Sequence, residues 1–94
     1  MKEMTLEEAI KRAGPAKVRV LAPLLKSLPA IIARSNAALI TGGLVSTKTL
    51  ATHDSEGNGP RVRIKFKQKV VYPVAYFLEY LESRKVKVVV SAEL

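Results

Sequence analysis

Hydrophobic and polar positions change period several times along the chain, and each change marks a predicted element. Leu6, Ala9, Ile10 and Ala13 recur at i, i+3, i+4 and i+7, one face of a short helix. Thr5-Leu6-Glu7-Glu8 has capping-box spacing at its start, and Gly14-Pro15 stops it, glycine suiting the left-handed C′ position and proline being unable to continue. Residues 17–21 alternate lysine, valine, arginine, valine, leucine, the pattern of a brief strand. From Ala22 to Arg34, Pro23 and Pro29 predict irregular or extended chain.

Ser35 is a good N-cap for a short helix to about Thr41, burying Ala38 or Leu39 with Ile40. Gly42-Gly43 ends it, Leu44-Val45 makes an apolar turn, and Ser46 is a second N-cap. The helix that follows, from Thr47 to about Ser55, is closed by the turn residues Glu56-Gly57-Asn58-Gly59-Pro60. Two capped helices joined by a glycine-containing turn of about three or four residues form the helix-turn-helix pattern.

Arg61-Val62-Arg63-Ile64-Lys65-Phe66-Lys67 then alternates strictly, cation and apolar residue in turn. Period two predicts that Val62, Ile64 and Phe66 face a core while Arg61, Arg63, Lys65 and Lys67 share the opposite face. Gln68-Lys69 turns the chain, and Val70-Val71-Tyr72 returns it as the second strand of a hairpin. Pro73 is placed at N1 of a final helix to about Arg84, with Val74, Phe77, Leu78 and Leu81 as its apolar stripe. Residues 85–91 alternate weakly and are expected to pair with residues 17–21 or to form an arm. The predicted fold is α+β, a winged helix-turn-helix over residues 28–84 with an N-terminal arm (1–27) and a C-terminal strand or tail (85–94).

Composition narrows the function classes. Sixteen Lys and Arg against eight Asp and Glu give a formal charge of +8, which favours a polyanionic partner, nucleic acid ahead of an anionic membrane surface. The absence of cysteine removes disulfides and thiolate metal sites, and one histidine, His53, cannot make a His-rich site. No apolar run is long enough to span a bilayer, and no secretory signal opens the chain, so a cytoplasmic location is expected. No cofactor, metal or small-molecule substrate is expected.

The candidate chemistry is binding. Five cations and no acid lie between Gly57 and Tyr72, and cations on one strand face would repeat about every 6.7 Å. A hairpin that fixes Arg61, Arg63, Lys65, Lys67 and Lys69 in place reduces the entropy lost on binding; the competing reading is a solvated sheet face whose lysines block edge pairing. On the helix after Ser46, setting Leu50 inward brings Thr47, His53 and Asp54 to the same side and turns Lys48, Thr52 and Ser55 outward, with Thr49 and Ala51 on the flanks. Short polar side chains there suit a major groove, although an ordinary surface helix has similar composition. His53 beside Asp54 resembles a general base with its carboxylate, but adjacent helical residues diverge and no nucleophile accompanies them, so an enzyme is not expected. Tyr76 and Tyr80 are expected to border the core, and Glu79 and Glu82 to make the last helix acidic outside.

Several of these motifs occur together in a known group. The Thr41-Gly42-Gly43 turn, Ser46-Thr47-Lys48-Thr49-Leu50-Ala51 and Asp54-Ser55-Glu56-Gly57-Asn58-Gly59-Pro60, followed by Lys69-Val70-Val71-Tyr72-Pro73-Val74 and Leu81-Glu82-Ser83-Arg84, resemble small prophage-type regulators of the excisionase and AlpA-like winged helix-turn-helix group. The likeness covers residues 28–84. It implies a helix in the major groove, with Lys48, Thr49 and Thr52 at the DNA, and a wing carrying Arg61, Arg63, Lys65 and Lys67 on backbone or minor groove. Ser46 and Thr47 at the start of that helix and Lys69 in the hairpin complete the candidate DNA-binding residues. The resemblance also implies excision or transcription control in a mobile element; one copy makes a small footprint, so dimers or cooperative arrays on duplex DNA are expected. The chain departs from the group at Lys67-Gln68-Lys69, where glycine is usual at the wing tip. Two other classes compete: an RNA-binding accessory protein using the basic hairpin, and a protein-interaction module.

Overall fold

The computed structural model describes residues 4–84; the strand or tail expected over residues 85–94 lies outside the described residues. Those residues form a small α+β domain with α-helices α1 (Leu6–Ala13), α2 (Ala37–Ile40), α3 (Thr47–Ser55) and α4 (Val74–Glu82). Its three-stranded antiparallel sheet has the order β1 (Ile31–Ala33), β3 (Lys69–Pro73), β2 (Ile64–Phe66). None of the described helices is long and apolar enough to cross a membrane.

Helix α1 carries the full capping box: Glu8 N donates to Thr5 Oγ1 at 3.2 Å, and Thr5 N donates to the Glu8 carboxylate at 2.9 Å. It buries no residue completely, and Leu6 and Ile10 stay exposed on its apolar side. The core lies instead between α4 and the sheet. Tyr72, Phe77, Ile32, Leu50 and Leu78 are fully buried, and the rings of Tyr72 and Phe77 stack with centroids 6.0 Å apart. Helix α4 buries Tyr76, Phe77, Leu78, Tyr80 and Leu81, more than one stripe, because chain packs on it from two directions. The sheet covers one side, and the Tyr76 hydroxyl donates to the Gly14 carbonyl on another.

Residues 17–21 are not a strand. The amides of Lys17, Arg19 and Leu21, alternate positions on one edge of the chain, donate to helix carboxylates: Lys17 to Glu79 at 2.8 Å, Arg19 and Leu21 to Glu82 at 2.8 and 2.7 Å. Period two was therefore informative, but its hydrogen-bond partners belong to α4 and not to another strand. Glu79 and Glu82 accordingly face the arm instead of forming an outward acidic surface. Leu21 enters the core, with Val18, Leu25 and Leu28 packed against it.

The stretch expected to be irregular contains a 3₁₀ turn, Ala22–Lys26, and the strand β1. Pro29 falls just before β1 and removes no ladder donor, while β-branched Ile31 and Ile32 suit a pleated surface. The strand runs directly into a 3₁₀ turn, Arg34–Asn36, and then into the single turn of α2. Ser35 is therefore inside a turn and caps nothing. Helix α2 buries Ala37, which was not expected, packs Ile40 against the core as expected, and leaves Leu39 85 % exposed.

The hairpin also differs from the predicted pattern. Lys65 pairs with Val70 and Ile64 with Val71, and directly paired residues share a face. Val70 and Tyr72 face the core, so Lys65 is on their side, while Ile64 and Phe66 lie on the outer face. Phe66 is 68 % exposed, against the expectation that it faces the core. Val62 is buried as expected, but it precedes β2, and the chain changes face between the two. Pro73 closes β3 and stands at the N-cap of α4, one position earlier than expected.

Candidate nucleic-acid interface

Helix α3 forms where Ser46 caps it: Ser46 Oγ accepts from the Thr49 amide at 3.0 Å and donates to Thr49 Oγ1 at 2.9 Å. The preceding turn extends over residues 41–46, longer than expected. Gly42 and Gly43 take positive φ of 65° and 91°, and the Gly43 amide closes onto the Ala38 carbonyl at 2.8 Å. Leu50 and Asp54 point inward. Thr47 is exposed, and its hydroxyl donates to the Arg34 carbonyl at 3.1 Å. Of the candidate residues on this element, Ser46, Thr47 and Thr49 thus have local hydrogen bonds. Lys48 and Thr52 are exposed, without a side-chain hydrogen bond or ion pair among the described residues.

The inner side of α3 holds a polar cluster that sequence reasoning missed. Asp54, 8 % exposed, accepts from Tyr72 Oη at 2.6 Å and forms an ion pair with Arg34, whose Nε donates to the same tyrosine oxygen at 3.0 Å. The cluster ties α3, β3 and the turn before α2 together. Burial, reinforced by the Asp54 hydrogen bond, pushes the Tyr72 hydroxyl up to about 12. Burial would lower the pKa of Arg34, but its bonds to Tyr72 and Asp54 raise it.

Asp54 Oδ1 has no hydrogen-bond partner, and Arg63 Nη1 stands 3.7 Å from it. A Cβ on Gly59 would lie 2.0 Å from the same oxygen, so the turn passes over the carboxylate only because residue 59 is glycine. One signal in the sequence did point to this cluster. An acid on the inward side near the C-terminal end of a helix opposes the dipole there and needs a cation. His53, beside Asp54, turns instead to Tyr80: Nδ1 and the hydroxyl are 2.5 Å apart.

The wing candidates divide into two sets. Arg61 is bound inward: Nε and Nη2 contact the Glu79 carboxylate at 2.8 and 3.0 Å, and its guanidinium also donates to the carbonyls of Ala13 and Pro15. Burial would raise the Glu79 pKa, but the Arg61 and Lys17 hydrogen bonds hold it below the ordinary carboxylate value. Arg61 is thus a fastener for the arm and does not belong to a free cationic face. Arg63 lies between Asp54 and solvent.

Lys65, Lys67 and Lys69 are exposed at the hairpin tip, with no ion pair among the described residues. Lys67 takes a left-handed conformation, φ 56°, in the two-residue turn with Gln68. Its ammonium lies 5.6 Å from the centre of the Phe66 ring.

Comparison with protein families, with curated proteins and with solved structures finds no match to this chain.

Proposed function

We propose that this chain binds double-stranded DNA as a winged helix-turn-helix protein, α2 and α3 forming the helix-turn-helix and β2 with β3 the wing. The observation that carries this reading is the distribution of charge. The acids of the folded body, Asp54, Glu79 and Glu82, are turned inward onto Arg34, Arg61 and backbone amides. Three lysines, unpaired among the described residues, gather at the end of the hairpin, Lys67 in the turn, Lys69 on the outer face and Lys65 on the other. Glu56 is the one exposed acid at the end of α3. A rigid cationic projection of this kind suits phosphate, and such contacts fix position on a duplex. Lys48 and Thr52, exposed on α3, are the side chains available to base edges, with Thr49 and Ser46 shaping the end of the helix that approaches phosphate.

In this reading the protein acts without catalysis or cofactor, as an excisionase-type architectural factor or as a regulator within a mobile element. One helix and one hairpin make a small footprint, so copies bind cooperatively or in pairs at repeated sites. The test is fluorescence anisotropy with a labelled duplex of arbitrary sequence, beside matched single-stranded DNA and RNA. Duplex binding that weakens linearly in log–log salt plots, at about −0.9 per neutralised phosphate, is the expected result. A preference for RNA would retain the basic hairpin and overturn the DNA reading, and no binding at low salt would overturn both.

A further inference from the structure

Phe66 occupies an unusual place for a large aromatic residue. It is the last residue of β2, pairs across the hairpin with Lys69, and is followed by Lys67 in the turn. Its ring is 68 % exposed on the outer face of the sheet, where Ile64 and Val71 stand behind it. A single exposed apolar side chain is ordinary; one with a lysine ammonium 5.6 Å from its ring and a second lysine as its cross-strand partner, next to the turn of a hairpin, is not. The turn adds a second observation. Lys67 holds a left-handed backbone conformation that glycine takes freely and that residues with a Cβ rarely adopt. The tip therefore keeps a cation beside the ring where the backbone favours glycine.

From this geometry we infer that Phe66 is a wedge that enters the duplex from the minor groove and partly unstacks one base step, kinking the DNA. The inference rests on the DNA-binding reading above. Lys67 and Lys69 flank the ring and reach the phosphates on either side of the entry point. A minor groove about 6 Å wide admits the turn end-on but not the side of a two-stranded ribbon. An apolar wedge with basic neighbours is the combination by which minor-groove proteins bend DNA. Pyrimidine–purine steps unstack most readily, so the preferred entry point is a TA or CA step and not an A-tract.

The chain has no tryptophan, so Phe66→Trp installs a single reporter. On titration with a duplex containing a central TA step, its fluorescence is expected to be quenched and the indole to become protected from acrylamide. Wild type is expected to shorten the end-to-end distance of a doubly labelled duplex. Phe66→Ala is expected to keep the same circular dichroism and the same salt slope while losing most of the bend and about tenfold in affinity, the scale of one aromatic–base contact. Phe66→Leu, still an apolar wedge, is expected to restore part of the bend. If Phe66→Ala bends the duplex as wild type does, or the indole stays open to acrylamide in the complex, the wedge is refuted while the DNA reading stands on its salt slope. If wild type shows no salt-dependent duplex binding, both fall together.

Discussion

The root and the tip of the basic hairpin carry the same kind of charge in different surroundings. At the root, Arg61 meets Glu79 and two carbonyls of the arm, and Arg63 stands 3.7 Å from the buried carboxylate of Asp54. At the tip, Lys65, Lys67 and Lys69 have no acid paired to them among the described residues. The guanidinium fork suits carboxylates and carbonyls at fixed positions, whereas a lysine is a flexible point charge that adapts to a partner brought from outside. The difference teaches that charge count alone overstates the binding surface: part of it holds the domain together. Changes at the root should alter stability and leave the salt dependence of duplex binding intact; changes at the tip should do the reverse.

The largest expected effect lies at the root. Asp54→Ala leaves Arg34 and the Tyr72 hydroxyl without their acceptor and is expected to lower stability by about 3 kcal/mol, read from the midpoint of urea unfolding. A loss under about 0.5 kcal/mol would mean that the cluster contributes nothing to the fold. Gly59→Ala forces a methyl group onto Asp54 and is expected to cost about 2 kcal/mol. An unchanged midpoint there would contradict the close approach of the turn.

Arg61→Ala acts on a side chain that is 42 % exposed. With solvent screening its cost should be about 1 kcal/mol or less, accompanied by faster amide exchange in the arm. Its duplex salt slope should match wild type; a shallower slope would place Arg61 on the DNA after all. The smallest effect is a pH dependence. Because the folded-state pKa of Glu79 is lowered, its contribution is present above the ordinary value of 4.5 and is lost as pH falls through the folded value. Glu79→Gln should therefore flatten the acid limb of a stability–pH profile, and an identical limb in both proteins would remove Glu79 from the acid response.

Much of the local structure was legible in the sequence. The α1 capping box, the Ser46 cap, the extent of α3 and the burial of Phe77, Leu78 and Leu81 on α4 follow from short-range rules, because caps and helix periodicity are satisfied within a few residues. Tyr76 and Tyr80, expected only at the border of the core, are buried by chain that packs on α4 from elsewhere. What escaped depends on partners far away in the chain. The alternation of residues 17–21 gave the direction of its amides but not their acceptors, which lie more than sixty residues on at Glu79 and Glu82. Phe66 lies on the face opposite to the one its alternation predicts, because a period-two pattern gives relative phase only and the chain changes face after Val62. The same limit applies to the binding surface. Five hairpin cations were visible, but which of them stay free depends on Glu79 and Asp54, and only tertiary structure brings those acids to Arg61 and Arg63.

The most direct test of DNA contact at the tip is the salt slope of duplex binding for Lys65→Ala/Lys67→Ala/Lys69→Ala, measured beside wild type and Arg61→Ala. If the three lysines contact phosphates, the log–log slope becomes shallower by about 2.7, at about 0.9 per contact, while thermal stability stays at the wild-type value. A slope equal to that of wild type would contradict the account.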